Sequence, residues 1–257
     1  LIRAFSLKKA VAGLPFDVYE NMDGDLRLVI TGAGMTAAAC GVSAVFGRYG
    51  AGERDHLINI GTCAAENPAS EKKDDTEMGY SGIYLCHKIT DRNTGHTYYP
   101  DMLYHHSFAE AEIITEPVVW KMSGDNRDKQ DLSGKQHIND CRVLLHDMES
   151  AAVYQAGSFW LGPHQMSFMK AVSDEGAGEK ITPRILEHAV ENNLEQIKAY
   201  VSDLGQVLEP DEEKQKKEQH CMTVAEQLCQ ELQEKYGVTV LAVNCEQLKP
   251  EDIRQIL

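Results

Sequence analysis

Three short runs of the chain place polar chemistry where an apolar framework ends. In LLHDMESAAVYQAG (144–157), Asp147, Met148 and Glu149 interrupt a stretch otherwise rich in Leu, Ala, Val and Gly. Acids at such a junction can cap a helix, because carboxylates near a first turn accept its free N–H groups and oppose its dipole. That role suits Asp147. A carboxylate can also hold a ligand, since its two oxygens match the hydroxyls of a vicinal diol, and this suits Glu149. Met148 is flexible and polarizable and can pack on a sugar or base face. In KAVSDEG (170–176), Lys170, Ser173 and Asp174 close another apolar run. An Asp partly withdrawn from water keeps its proton to higher pH and can deliver it to a leaving group. The plain alternative is a solvated acidic loop with Glu175 and Glu179.

The third run, GTCAA (61–65), joins a Gly turn to the Thr62 hydroxyl and the unhindered N–H groups of Cys63 and Ala64. Such a turn can cradle a phosphate, a water or a sugar oxygen, or simply link a strand to a helix. Cys63 suits a small buried position better than a nucleophile's. TGAG (31–34) also precedes a small-residue run. Ala37 stands where a dinucleotide fingerprint needs its third Gly, which argues against NAD. His96, His105 and His106 suggest a metal, but no H-x-x-x-H pair or carboxylate cluster completes a site, so no metal or other cofactor is expected.

The elements that must position these runs follow from periodicity. FDVYEN (16–21), the turn MDGD and LRLVIT (26–31) read as a hairpin. MTAAACGVSAVFGRYG (35–50) reads as a helix ended by Gly50 and Gly52. HLINIGT (56–62) is almost continuously apolar, as in a strand buried on both faces. A polar loop through 72–76 leads to the strand YSGIYLCHKITD (80–91). Then come an aromatic, His-containing loop (93–108), the strand AEIITEPVVW stopped at Pro117, and a polar loop (121–135). CRVLLHD (141–147) reads as a strand, 147–162 as a helix and HQMSFMKAVSDEG (164–176) as a strand. Residues 181–204 form an amphipathic helix with Thr182 as cap and Pro183 at its first position. LEPDEEKQKKEQ (208–219) then shifts the composition to a charged linker, followed by a helix (222–236), a strand (238–243) and a last turn. The division is a main domain over 1–204 and an appendage over 205–257. Strands alternating with helices predict a mostly parallel or mixed sheet covered on both faces, with ligands at strand ends.

The 257 residues suffice for one large α/β domain with a substantial core. A net charge of −15 argues against a nucleic-acid surface, which needs clustered Lys and Arg. No run approaches the roughly 20 apolar residues of a membrane span. Seven scattered cysteines without a C-x-x-C pair suit a reducing, cytoplasmic setting.

In their order, TGAGMTAAA, INIGTCAA, DMESAA and KAVSD resemble the nucleoside phosphorylase and nucleosidase superfamily over about residues 1–204. The resemblance implies a three-layer α/β/α domain with a mixed, partly barrel-like central sheet, in dimers or hexamers. It implies that Glu149 binds ribose hydroxyls and that Met148 packs against the nucleoside. Asp174, with Ser173, would protonate a purine at N7 as the glycosidic bond breaks. Thr62, Cys63 and Ala64 would line the ribose and nucleophile, and the loop 96–104 would cover the 5′ end. Phosphorylases of this group carry an arginine where Asn59 stands; Asn offers phosphate no cationic fork. Water is therefore the expected nucleophile, although Lys170, where nucleosidases usually carry Arg, could bind an anion. Phosphate-dependent cleavage of a purine nucleoside is the alternative, and a noncatalytic nucleoside-binding domain is the reading from another class.

Family members begin with a strand, a Gly turn and an acid leading into a helix. LIRAFSLKKA reads as the interior of that helix, so the strand and acid are expected to be absent from this sequence. VTVLAVNCEQ, with Glu246, is a remote candidate to replace them.

Overall fold

A computed structural model describes residues 1–66, 82–121, 143–176 and 182–208, with the side chains of 207 and 208 excepted. The strands are β1 (Lys8–Lys9), β2 (Asp17–Glu20), β3 (Arg27–Ile30), β4 (Leu57–Glu66) and β5 (Ile83–Asp91). They continue with β6 (Thr97–Tyr98), β7 (Ala109–Thr115), β8 (Leu144–Asp147) and β9 (Met166–Asp174). The helices are α1 (Met35–Tyr49), α2 (Ser150–Gly157), α3 (Pro183–Glu191) and α4 (Leu194–Leu208).

The expected hairpin forms, with Asp17 opposite Ile30 and Glu20 opposite Arg27. Its turn is held by the Asn21 side chain, which accepts the N–H groups of Gly24 and Leu26 at 3.0 and 3.1 Å. The start of the chain differs from expectation. Residues 1–5 make a single turn, closed by Leu7 N–H to Ile2 O (2.9 Å) and Ser6 N–H to Arg3 O (3.3 Å). Ser6 takes φ +53°, the left-handed closure that ends a helix, and the next residues pair with β2 as β1.

Strands β5, β7, β8, β4 and β9 form the central sheet in that order, and β5 also pairs with β9, which closes it into a mixed five-stranded barrel. β4 and β9 run parallel to each other and antiparallel to the other three. Successive side chains of a strand point to opposite faces, and β9 is buried along nearly its whole length. Phe168 stacks on Tyr154 of α2 (6.0 Å), whereas the Ser167 hydroxyl meets that of Tyr200 in α4 (2.8 Å). Helices α2 and α4 thus meet β9 through neighbouring residues whose side chains point in opposite directions.

Three local readings change. The strand at 56–62 continues to Glu66, so GTCAA is strand with a bulge between Cys63 and Ala64, not a turn. Pairing with β9 on one side and β8 on the other satisfies its backbone where a turn was expected. The amphipathic run after Thr182 is two helices. Thr182 caps the first, accepting Ile185 N–H at 3.3 Å, and Asn193 turns its side-chain amide back onto Ala189 O (2.8 Å) between them. The aromatic loop lies by the beginnings of β4 and β9. Tyr98 stacks on Tyr154 (4.9 Å), Asp101 N–H donates to Pro163 O (3.1 Å) and Tyr104 meets His56 edge-on (5.3 Å). Within the loop Thr97 and Tyr98 form β6, and His56, which Tyr104 meets, is six residues before Thr62, about 20 Å at ~3.3 Å per strand residue. Among the described residues, no helix is long and apolar enough to cross a membrane. The loops at 72–76 and 122–135, Glu179, residues 209–257 and with them Glu246 lie outside the described residues.

Candidate functional site

Ala64 is the meeting point of the polar runs. It pairs with His146 of β8 on one side and with Asp174 of β9 on the other. Adjacent strands lie ~4.8 Å apart, so Asp174 and the start of the 147–149 run flank Ala64 within about 10 Å. The structure therefore gathers Thr62, Cys63, Ala64, Asp147, Met148, Glu149, Ser173 and Asp174 at one edge of the barrel.

Asp174 is half-buried and fully engaged. Its Oδ2 lies 2.9 Å from the Ser173 hydroxyl and its Oδ1 accepts Gly176 N–H at 2.8 Å. The Ser173 hydroxyl also approaches Cys63 O (3.2 Å), tying the acid to the bulge in β4. Cys63 itself is buried, with Sγ 3.7 Å from Ala171 O. Burial, with Cys86 nearby, pushes its thiol well above the ordinary range, so it is no thiolate nucleophile at neutral pH. Thr62 is partly exposed at the start of the bulge.

Glu149 joins two helices. It is the N-cap residue of α2, and its Oε1 accepts Gly34 N–H, at the start of α1, at 2.7 Å. Its Oε2 is 3.2 Å from Met148 N–H. Gly34 adopts φ +96° there, a conformation that disfavours any side chain. The TGAG run therefore meets Glu149 through a backbone donor.

Asp147 does not sit at the N-cap, as a plain capping role would have it, but two residues earlier. Its Oδ2 accepts Ser150 N–H (2.8 Å), the Ser150 hydroxyl (2.6 Å) and the Lys170 ammonium (2.9 Å). Its Oδ1 accepts the Thr115 hydroxyl at 2.8 Å. Burial pushes the Asp147 carboxyl up, but Lys170 and the hydrogen bonds of Ser150 and Thr115 outweigh it and hold it below the usual range. Burial likewise lowers Lys170, and Asp147, with Glu149 beyond it, raises it above the usual lysine value. Lys170 is thus a buried ion-pair partner of Asp147. Gly61 lies against it, and a Cβ there would sit 3.2 Å from Nζ. Asn59 lies beside this network, its Oδ1 3.4 Å from Ser150 Oγ.

Sequence reasoning missed Thr115 entirely, and it singled out TGAG without the bond of Gly34 to Glu149. The part played by Thr115 arises from register: β7 and β8 pair in parallel with Thr115 opposite Asp147. It also missed the cluster behind β8, where His146 Nδ1 lies 3.0 Å from Glu116 and its ring stacks on Trp120 at 4.0 Å. Arg92 forks onto the same carboxylate, its closest contact 2.9 Å. Burial raises Glu116, but the bonds from His146 and Arg92 outweigh it and keep it ionised below the usual range.

No family model and no curated protein matches the chain by sequence. Solved structures do match it. One is the 5′-methylthioadenosine/S-adenosylhomocysteine nucleosidase from Neisseria meningitidis in complex with methylthio-immucillin-A. It aligns with a TM-score of 0.54 and 16% identity over 78% of this chain and 92% of that one. The corresponding nucleosidase from Colwellia psychrerythraea, in complex with adenine, aligns with a TM-score of 0.52 and 16% identity over 80% and 92%. The mixed barrel, its helices and these alignments agree: the chain has the fold of these nucleosidases.

Proposed function

We propose that this protein cleaves the N-glycosidic bond of a purine nucleoside, with water as the nucleophile. The observation that carries the reading is the convergence at Ala64 of Asp174 and the Glu149 turn, at one edge of a nucleosidase fold. Glu149 accepts hydrogen bonds from the ribose hydroxyls, exchanging them for its present N–H donors, while Met148 packs against the nucleoside. Asp174 gives a proton to N7 of the base. The bond between N9 and the anomeric carbon breaks with its electron pair moving to the base, and the ribose gains oxocarbenium character. Water adds to the anomeric carbon and loses a proton to solvent, leaving a free purine and a free sugar.

Two features favour water over phosphate. Asn59 supplies no cation, and the Lys170 charge is already neutralised by Asp147 at 2.9 Å. Adenosine, inosine and methylthioadenosine are the substrates to test, each with and without inorganic phosphate. Release of free base in phosphate-free buffer, at a rate phosphate does not change, is the expected result. Release that requires phosphate would make the protein a phosphorylase. Tight nucleoside binding with no base from any of the three would make it a noncatalytic binding domain.

A further inference from the structure

The N-cap residue of α2 does not cap α2. An N-cap carboxylate ordinarily turns inward to accept the N–H of the second or third helical residue. The Glu149 side chain makes no such bond. Two of the donors at that helix end are instead satisfied from elsewhere. Ser150 N–H goes to Asp147 (2.8 Å), and Ala151 N–H goes to the hydroxyl oxygen of Thr115 (2.9 Å), which is 36 positions away in the chain on β7. The same Thr115 hydroxyl donates its proton to Asp147 Oδ1 (2.8 Å). Lys170 balances the charge this arrangement buries. Glu149 is left free of its own helix and points at Gly34.

We propose that Thr115, Asp147 and Lys170 are positioning residues that take over the capping of α2, so that the Glu149 carboxylate stays turned outward to receive a ligand's vicinal hydroxyls. This rests on the reading of Glu149 as the residue that holds the ribose. Thr115 is the informative member, because its one hydroxyl serves both ends of the relay. In Thr115→Val the shape is kept, but Ala151 N–H and Asp147 Oδ1 both lose their partner. A buried N–H without an acceptor is costly. Glu149, as the N-cap residue, is the side chain placed to satisfy it, and turning inward withdraws it from the diol.

The test is calorimetry in an Asp174→Asn background, which keeps the nucleoside intact, comparing adenosine with 2′,3′-dideoxyadenosine. The parent prefers adenosine. Thr115→Val is expected to reduce that preference by about tenfold, the scale of one hydrogen bond to a charged group, with little change for the dideoxy compound. Thr115→Ser, which restores the hydroxyl, returns the preference; general loosening of the fold would weaken both ligands alike. Should the Val variant not fold, Thr115→Cys, a poor donor and acceptor of similar size, reads the same ratio. A parent that distinguishes the ligands and a Val or Cys variant that does so equally well overturns the positioning role alone. A parent that does not distinguish them overturns the reading of Glu149, and this proposal with it.

Discussion

Asp174→Asn is expected to lower kcat for purine nucleosides by about 10²- to 10⁴-fold, the usual worth of a general acid. Asn keeps the size and the carbonyl acceptor, so the bonds from Ser173 and Gly176 can largely persist and the protein stays folded. What is lost is an acidic proton aimed at the leaving group. The loss should therefore depend on the leaving group. A nitrophenyl riboside, whose phenolate departs without protonation, should be cleaved by the variant nearly as fast as by the parent. Equal losses on both substrates would mean that Asp174 acts on the sugar or on the fold and not on the base.

The second large effect is on stability. Lys170 and the Asp147 carboxylate are both almost wholly withdrawn from water, and removing one partner of such a pair leaves the other charge uncompensated. Lys170→Met is expected to cost about 3–5 kcal/mol, whereas combining Lys170→Met with Asp147→Leu recovers part of it, because apolar replacement of both partners removes the desolvation cost as well. Urea unfolding measures both; an unchanged midpoint in the single variant would show that the pair contributes nothing. The pH dependence has a definite sign. Asp147 titrates lower in the folded chain than in the unfolded one, so its contribution is present above the unfolded value of about 4 and lost as pH falls through the folded value. Lys170 titrates higher when folded, so its contribution is present below about 10.4 and lost as pH rises through its folded value. The deficit of the single variant should be level between those limits and shrink beyond each.

The sequence was legible where structure is local. The hairpin declares itself through alternation and a turn containing Asp23 and Gly24, and α1 through its small residues and Gly50. Thr182 and Pro183 start α3 as their types dictate. What was not legible depends on partners distant in the chain. GTCAA has the composition of a turn, and only pairing with β8 and β9 keeps it extended. Lys170 has the side chain of an anion ligand, but a buried acid at the end of another strand claims it. Thr115 carries no local signal, since its use is set by a parallel register between β7 and β8. In the aromatic loop, Tyr98 finds its ring partner in Tyr154 of α2 and Tyr104 in His56 just before β4, neither of them near in the chain. For Glu149 and Asp174 the structure adds proximity, since each belongs to or follows a strand paired with Ala64.

The closure of the barrel has a consequence in time. Met169–Ala171 of β9 pair on one side with β4 and on the other with β5, so their amides are expected to exchange with solvent only when the whole barrel opens. β1 and β3 are the outer strands of the small three-stranded sheet, and their amides exchange through local fraying. Asp174 ends β9, three residues beyond the Met169–Ala171 stretch that pairs on both sides. The backbone that holds Glu149 in place, at Gly34, follows closely on β3. Asp174 is then expected to be set once, when the protein folds, whereas the contact of Gly34 with Glu149 is expected to be remade each time the small sheet breathes.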